Sequence, residues 1–517
     1  MANSISRSYC LPIDAVNDFV TLPIGGLDPM PANEARTDST AFVALDTFDQ
    51  TLRGSNRLLL ETPAALELLD DKLPLVSQAS TNKTRFATEF ADGPVKRALG
   101  KTSPLRSLLA IGTGERHRAT AVFIDDEGKT HCRANLMQLV TSQDRAVIVE
   151  LHGIKGYEES LGLLHEHIQS LGGAPLQCSE LYKQLFPPRP TYDPKPEIPI
   201  EEDDTAFDAA NKIIATHIPL MRANEFGIIA DYDTEFLHDY RIHLRKIRSV
   251  LSLFKGVYDE DQTTALKAEF SAFMAPTGAL RDLDVYLLEQ QRYYDLLPDS
   301  LHGGLDALFS LLAKVRATEK NRLTRHLQST PYTRAVTAAA KRFSRRGGVR
   351  PGVNAMLAAH DYATERIWQR YRRVRKIAGG ITPATPDAQI HELRIHCKKL
   401  RYLMEFFGPV FPQAELSPLL KALKSIQDEL GLFNDYSVQQ DNLSLFASRL
   451  GTQHLDADLE IAQSVGALIA VLHRRQIEQR ARVLKQLNRF NRPGIRHAFQ
   501  QLFQPPKPQQ PPQDDDT

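Results

Sequence analysis

The spacing of apolar residues divides the chain into a strand-rich N-terminal part and a helical C-terminal part. Before residue 187, short segments of apolar residues are separated by Gly, Asp and Asn turns, with helical spacing at Tyr157–Leu171. The predicted strands are Thr40–Thr47, Arg57–Leu60, Thr120–Ile124 and Ala146–Leu151. After residue 204, apolar residues recur at helical spacing almost without interruption. We therefore expect an α+β domain built on an antiparallel sheet, followed by an all-α domain.

The helical part is predicted to consist of two halves with six helices each, over residues 205–345 and 358–503. In the first half the predicted helices are Phe207–Arg222, Thr234–Lys255, Thr263–Met274, Asp282–Arg292, Leu305–Gln328 and Tyr332–Phe343. In the second half they are Tyr362–Ala378, Ala388–Phe407, Leu416–Leu430, Tyr436–Ser448, Asp456–Asn488 and Gly494–Phe503. Two similar sets of helices favour a duplicated helical bundle.

Two segments of biased composition mark the domain limits. Residues 187–204 combine five prolines in the first ten positions with the acidic run Glu201–Asp204, which favours an extended linker. Residues 504–517 are rich in Pro and Gln and end in acidic residues, so we expect a disordered tail. The predicted domains are therefore 1–186 and 205–503.

An eleven-residue basic pattern occurs at 238–248 and again at 391–401, with a constant offset of 153. At about 100° per residue, the His, Arg, Arg/Lys and Arg at motif positions 1, 4, 8 and 11 fall on one helix face, flanked by the Lys at position 9. One such stretch alone is typical of a solvated helix surface, but two copies without an acid on the stripe favour binding of a chain of phosphates. Duplicated halves related by a pseudo-twofold axis would place both helices along one groove.

Charge and cysteine content narrow the class of protein. Residues 1–200 hold 20 Lys+Arg and 25 Asp+Glu, whereas residues 205–500 hold 42 Lys+Arg and 31 Asp+Glu. The basic excess therefore lies in the part that carries the repeated pattern. The four cysteines are far apart and show neither disulfide nor zinc-site spacing. The sequence shows no leader and no membrane span, so we expect a cytoplasmic protein. We also expect neither a metal ion nor another cofactor.

Two glycine- and aspartate-containing segments, 277–285 and 430–438, allow two interpretations. Their carboxylates could hold a metal ion, but so few acids make an unconvincing cage. A structural role is favoured, in which Gly278 and Gly431 end helices in the left-handed conformation. In that role Asp282 and Asp435 cap the next helix or orient a nearby Arg.

Residues 205–503 resemble the CHAD family, the conserved histidine α-helical domain. The resemblance rests on the two basic helices and on the segments 280–285 and 427–435. It implies a basic groove that binds inorganic polyphosphate without a catalytic step, on polyphosphate granules in many members. Carried over by position, the polyphosphate contacts are His238, Arg241, Arg245, Lys246, Arg248, His391, Arg394, Lys398, Lys399 and Arg401. Further candidate contacts, two pairs that also differ by 153, are Arg222, Arg322, Arg375 and Arg475.

Residues 1–186 resemble a degenerate CYTH domain, the triphosphate-tunnel fold, which implies a tunnel-like sheet. The resemblance rests on segments 48–60, 147–153 and 178–183. Active members hold metal and phosphate with a Glu-x-Glu-x-Lys strand, but residues 4–8 here read Ser-Ile-Ser-Arg-Ser. Ile148 likewise stands beside Glu150 where another metal-binding Glu is expected. The resemblance therefore implies lost triphosphatase activity, with no catalytic and no metal-binding residues.

The predicted function is binding of inorganic polyphosphate. The alternative is a metal-dependent triphosphatase or polyphosphatase whose CHAD-like part recruits substrate. A nucleic-acid-binding scaffold is disfavoured because the lone Trp368 and the scattered tyrosines do not form a base-stacking platform.

Overall fold

The computed structural model describes residues 6–31, 39–80, 84–100, 102–345, 347–447 and 455–505. The chain divides into two compact units, Met1–Pro194 and Lys195–Thr517. This division falls inside the predicted linker, of which residues 187–200 form neither helix nor strand. From residue 506 onward the predicted tail lies outside the described residues.

The N-terminal unit is built on an antiparallel sheet, which confirms the predicted fold class. Among the described residues the strand order is β10-β1-β9-β8-β7-β3-β4-β5-β6, with β2 paired to β7. The strands are β1 Ser6–Leu11, β2 Asp28–Pro31, β3 Thr40–Thr47, β4 Arg57–Glu61, β5 Ala65–Asp70, β6 Val76–Ala79, β7 Leu108–Ile124, β8 Thr130–Thr141, β9 Arg145–Gly153 and β10 Ala174–Pro175. The helices of this unit are α1 Val16–Thr21, α2 Thr51–Gly54, α3 Pro94–Ala98, α4 Glu158–Ser170 and α5 Cys178–Leu185.

Strand β9 is buried on both faces, which explains its nearly continuous run of apolar residues. Val147 and Val149 belong to a core that includes residues of α1 and α4. Ala146 and Ile148 point to the opposite face and belong to a core that includes the apolar residues of α5. Helix α5 therefore packs its apolar side chains on the face of the sheet opposite to α1 and α4.

The C-terminal unit is helical, as predicted. Its helices are α6 Ala206–Arg222, α7 Glu225–Ala230, α8 Thr234–Leu253, α9 Glu260–Met274, α10 Gly278–Leu288, α11 Gln290–Tyr294, α12 His302–Leu327, α13 Thr330–Ser344, α14 Ala359–Gly379, α15 Asp387–Phe406, α16 Gln413–Ala447, α17 Leu455–Phe490 and α18 Pro493–Phe503. The short helix α7 was not predicted, because six residues contain too little periodicity to recognise. The predicted helix Asp282–Arg292 is divided between α10 and α11, which are separated at Glu289.

The predicted break near Gly431 is wrong. The predicted helices 416–430 and 436–448 belong, as far as the described residues go, to one continuous helix, α16, with Gly431 inside it. Leu430 and Phe433 are buried on either side of this glycine. Their burial outweighs the helix-propensity loss of about 1 kcal/mol at a glycine. Gly278 is not left-handed either, since it begins α10 with φ −66° and ψ −57°.

Two residue pairs locate a pseudo-twofold relation between the helical halves. The rings of Phe254 and Phe407 stack with centroids 4.7 Å apart and planes 15° apart. The Tyr286 hydroxyl donates to the backbone oxygen of Gln439 at 3.5 Å. The two members of each pair are 153 positions apart, and a residue touches its own equivalent only near the axis that relates the halves. The duplicated halves therefore pack directly on each other through equivalent surfaces.

Truncation of the stacked pair tests this junction. We expect Phe407→Ala to lower the free energy of unfolding by about 3–5 kcal/mol, because Phe407 is fully buried and little can fill the cavity. Urea denaturation followed by circular dichroism measures the loss. The matched control is Ile477→Ala on α17, whose side chain is 58% exposed, and it should change stability by less than about 0.5 kcal/mol. Equal effects of the two substitutions would contradict a junction built on this pair.

Candidate functional site

The two basic motifs lie on α8 and α15, and these helices contact each other. Helix α8 begins where the Asp233 carboxylate accepts hydrogen bonds from the backbone N–H groups of Glu235 and Phe236. The predicted apolar face of each helix is buried. The buried residues are Leu244, Ile247, Leu251 and Phe254 in the first half and Leu393, Leu400, Met404 and Phe407 in the second. Burial of these faces leaves the cationic faces turned toward partly exposed surroundings.

The structure brings cations from both halves together around Lys398. Burial, together with the charges of Arg245, Arg394 and Arg401, lowers the pKa of Lys398 to about 8, although Asp435 opposes them. Arg241 in turn interacts with Arg245 and Arg248. We call this set the basic cluster, namely Arg241, Arg245, Arg248, Arg394, Lys398 and Arg401. Arg245 and Lys398 are equivalent positions of the two motifs, so the cluster is centred where the two halves meet.

Three carboxylates lie beside the basic cluster. Glu405 lies 3.1 Å from Arg401 Nε, and the other two, Asp282 and Asp435, are equivalent residues of the two halves. Burial raises the pKa of Asp282, while Arg241 and Arg281 lower it. Burial likewise raises the pKa of Asp435, and the charge of Arg394 is the largest opposing influence. Asp282 lies within α10 and Asp435 within α16, so neither begins a helix. Of the two predicted structural roles, orienting an Arg therefore fits, and helix capping does not.

Sequence reasoning missed Arg281, which joins the surroundings of the cluster. Its charge acts on both Arg241 and Asp282. Its Nη1 is buried and has no hydrogen-bond partner among the described residues. The equivalent position of the second half is Asn434, whose Oδ1 is 2.5 Å from Nδ1 of the exposed His391. The signal was available, because the 153-residue offset extends into this segment.

The lysines at motif position 9 have charged neighbours beyond the members of the cluster. The pKa of Lys399 is lowered by burial and by the charges of Arg370 and Lys255, which lie outside the cluster. Lys246 acts on the pKa values of His217 and Glu405. His238 is half-buried on α8. Lys399 therefore has other charged neighbours than Lys398, whereas Lys246 shares Glu405 with Arg401 of the cluster. The part that the ten predicted contacts take in phosphate binding stays a prediction.

The four additional candidates lie on helices other than α8 and α15. Arg222 ends α6 with its Nε 3.8 Å from Glu225 Oε1. Arg322, on α12, is 75% exposed and lies 3.8 Å from Glu319. Arg375 is exposed on α14, and Arg475 is half-buried on α17. Their participation in phosphate binding stays a prediction.

The N-terminal unit places the residues expected of a tunnel on one face of its sheet. Ser8 pairs with Glu150 across β1 and β9. Glu150 accepts a hydrogen bond from the backbone N–H of Leu75 at 3.2 Å and lies 3.1 Å from His152 Nε2. Ile148 packs in the core beneath α5. Ser8, Ile148 and Glu150 line a cavity of about 170 Å³ together with Arg118. The partner of Arg118 is Glu67 at 2.7 Å.

Within the described part of the chain, no group of three or more His, Cys, Asp or Glu side chains is arranged to hold a metal ion. No helix of that part combines the length and the apolar character that crossing a membrane requires.

Comparison with known proteins identifies the helical unit. Residues 212–444 match the model of the CHAD domain. This chain contains a CHAD domain. The match covers α8 and α15 and therefore the whole basic cluster of the CHAD domain. No curated protein matches the chain.

Several solved structures are similar to parts of the chain. The CHAD domain from the plant Ricinus communis is 24% identical, with a TM-score of 0.47, and the match covers 57% of this chain and 95% of that one. PptA from Streptomyces chartreusis is 15% identical, with a TM-score of 0.43 and coverages of 55% and 99%. A proposed adenylate cyclase from Bacillus halodurans is 17% identical, with a TM-score of 0.23 and coverages of 34% and 91%. The CYTH-like character of the N-terminal unit stays a prediction.

Because other cations crowd around it, the protonated side chain of Lys398 should destabilise the folded state. Its pKa is about 8 in the folded chain, against an ordinary value of 10.5. The unfolded chain therefore binds the Lys398 proton more tightly than the folded chain does. This difference destabilises the folded state below about pH 8, and the free energy of unfolding rises as the pH increases from about 8 to above 10. We expect Lys398→Met to raise the free energy of unfolding at pH 7 by about 1–2 kcal/mol. Urea denaturation at pH 7 and at about pH 10 should show the gain shrinking at the higher pH.

Lys424 provides the control, because its side chain is 66% exposed and lies 2.8 Å from Asp428. Lys424→Met should leave stability nearly unchanged at both pH values. A Lys398→Met variant that is less stable than the parent at pH 7 would show that Lys398 contributes packing rather than repulsion.

Proposed function

We propose that the CHAD domain binds inorganic polyphosphate through a groove lined by α8 and α15. The observation that carries the proposal is the basic cluster, in which cations from two halves of the chain lie together at the cost of mutual repulsion. Such an arrangement lowers the stability of the free protein, and a polyanion would relieve the repulsion. Guanidinium groups suit phosphate because they offer paired donors to its oxygens.

The symmetry of the cluster supports a ligand with a repeating charge. Arg241 and Arg394, Arg245 and Lys398, and Arg248 and Arg401 are equivalent pairs. On each helix, successive cations are spaced by about one turn, or about 5.4 Å. A linear chain of identical phosphates presents the same groups to both helices and in both directions. A ligand with unlike ends would instead need different residues on the two walls.

Binding without catalysis is the second part of the proposal. Ser4 and Ser6 stand where the CYTH resemblance expects the two carboxylates of the first strand, and Ile148 stands where it expects another. Glu150 therefore lacks the acidic companions that a metal site of that kind needs. Glu67 is already paired with Arg118 at 2.7 Å. Without a divalent cation, phosphoryl transfer has nothing to neutralise the charge that develops on the phosphate oxygens. The protein would then act by holding polyphosphate, and long chains would recruit it to polyphosphate granules.

Charge reversal on both helices tests binding. We expect Arg241→Glu with Arg394→Glu to abolish binding of long-chain polyphosphate, because the double variant turns two attractive contacts into repulsive ones. Isothermal titration calorimetry at several salt concentrations measures the affinity. For the parent protein, binding should weaken steeply with salt as condensed counterions are released.

The matched control reverses Arg334 and Arg474, exposed residues of α13 and α17. This variant carries the same net charge and should keep most of the affinity. Retained binding in the Arg241 and Arg394 variant would refute the proposed site. Preferential binding of RNA over polyphosphate at equal phosphate concentration would favour a nucleic-acid-binding protein instead.

A phosphate-release assay tests the non-catalytic part separately. Incubation with triphosphate or polyphosphate and Mg²⁺ or Mn²⁺ should liberate no inorganic phosphate above the protein-free rate. Metal-dependent release that Glu150→Gln abolishes would instead favour the alternative, a hydrolase whose CHAD domain recruits substrate.

A further inference from the structure

The two halves of the helical unit differ sharply in the helix that precedes the motif. Helices α6 and α14 occupy equivalent places, since α6 begins at Ala206 and α14 at Ala359, again 153 residues later. Helix α6 carries two Lys or Arg residues and one acid, whereas α14 carries six and two. The charge of α14 therefore belongs to the second half alone and is not a property of the shared fold.

One pair of side chains between the motif helix and the helix that precedes it is neutral in the first half and includes an arginine in the second half. In the first half, Nδ1 of His217 lies 3.2 Å from Nδ1 of His243, with both side chains buried. The equivalent residues of the second half are Arg370 and His396, and Arg370 Nη1 donates to His396 Nδ1 at 2.9 Å. A packed pair of imidazoles and a guanidinium–imidazole pair thus fit the same place between the two helices. The fold accepts a weakly basic residue here, so a permanent charge at residue 370 is not required for packing.

The neighbours of Arg370 add charge. Arg373 Nη2 pairs with Glu392 at 2.9 Å, with both side chains about half exposed. Arg366 donates to Gln369 Oε1 at 3.3 Å and to the Lys255 carbonyl at 3.2 Å, and it lies over the Tyr362 ring. These last three partners are uncharged at the contacting atoms. We call this set the outer patch, namely Lys255, Arg366, Arg370, Arg373 and Lys399.

Members of the outer patch repel one another. Burial lowers the pKa of Arg370, and the charges of Arg366 and Arg373 lower it further. Burial also lowers the pKa of Lys399, with additional contributions from Arg370 and Lys255. Burial, Arg370, Lys399 and Arg373 keep the pKa of His396 below its ordinary value, although Glu392 opposes them. As in the basic cluster, charge is concentrated where it opposes folding.

The outer patch and the basic cluster lie on two sides of one helix. Lys398 belongs to the cluster and Lys399 to the patch, and consecutive helical residues point about 100° apart. The helix is only about 10 Å across including side chains. A flexible polyanion that leaves the cluster therefore has a second basic surface within reach around α15.

We propose that the outer patch is a second binding site for the same polyphosphate chain, one that only long chains reach. This inference rests on the proposed function, because it assumes that the basic cluster holds the first part of the chain. Engagement of both sites makes the second contact intramolecular and raises affinity without a change at the first site. The second half of the domain thereby acquires a preference for chain length that the first half lacks.

The test compares chain lengths in a variant of the outer patch. The variant combines Arg366→Gln, Arg370→His and Arg373→Gln, which puts at residue 370 the side chain found in the first half. Calorimetric titrations use polyphosphate of about ten and of about 100 phosphates. We expect affinity for the long chain to fall at least about tenfold, while affinity for the short chain stays within about twofold. The salt dependence for the long chain should become shallower by about two units of slope, from loss of three phosphate contacts.

The control variant removes three other exposed charges, by Arg334→Gln, Lys424→Gln and Arg474→Gln, and should keep the long-chain advantage. If the parent protein binds neither chain, the proposed function itself fails. If the parent binds both and the outer-patch variant keeps full long-chain affinity, or loses affinity for both lengths equally, the second site is refuted. The second site is also refuted if the variant loses RNA binding but keeps polyphosphate binding.

Circular dichroism and thermal unfolding of the outer-patch variant separate binding from folding. Relief of the repulsion around Arg370 should leave its melting temperature equal to or above that of the parent. A variant that melts lower is replaced by Arg370→His alone. The single variant should lose part of the long-chain advantage, and an unchanged advantage would likewise refute the second site.

Discussion

Burial of apolar side chains at the junction of the two halves is the interaction on which the helical unit depends, because it holds Arg245 and Lys398 near each other against their repulsion. Equivalent residues of the two halves hold like charges near each other, so the surrounding structure must supply the free energy that keeps them there. This free energy comes from the buried apolar faces of α8 and α15 and from the stacking of Phe254 on Phe407. Burial of such side chains is worth about 1.5–3 kcal/mol each, which outweighs a few partly screened repulsions.

The carboxylates next to the cluster moderate the repulsion without cancelling it. Asp282 interacts with Arg241, and Asp435 interacts with Arg394, so each half brings its own acid to its own cation. Burial raises the pKa of both acids, because removal from water disfavours their charged forms. The balance leaves more cations than anions at the junction, as a surface that receives phosphate requires.

Duplication followed by divergence accounts for the differences between the halves. The motif helices kept their charges, whereas the preceding helices did not remain alike, as His217 and Arg370 illustrate. A buried histidine pair stabilises one half, and an arginine with cationic neighbours occupies the same place in the other. The symmetric part of the unit corresponds to the proposed groove, and the asymmetric part to the outer patch.

The sequence by itself determined the division into a sheet domain and a helical domain, the internal repeat and the apolar faces of α8 and α15. These features follow from local periodicity and from a fixed offset, both of which are read along the chain. Tertiary structure decided the rest. The continuity of α16 through Gly431 depends on the burial of Leu430 and Phe433, which local propensity does not contain. The separation of Lys399 from Lys398, and the approach of Asp282 and Arg281 to Arg241, depend on which helices pack side by side. Electrostatic neighbours are set by distance in space, so a motif predicts which side chains carry charge, and only the packed helices determine which of those charges act together.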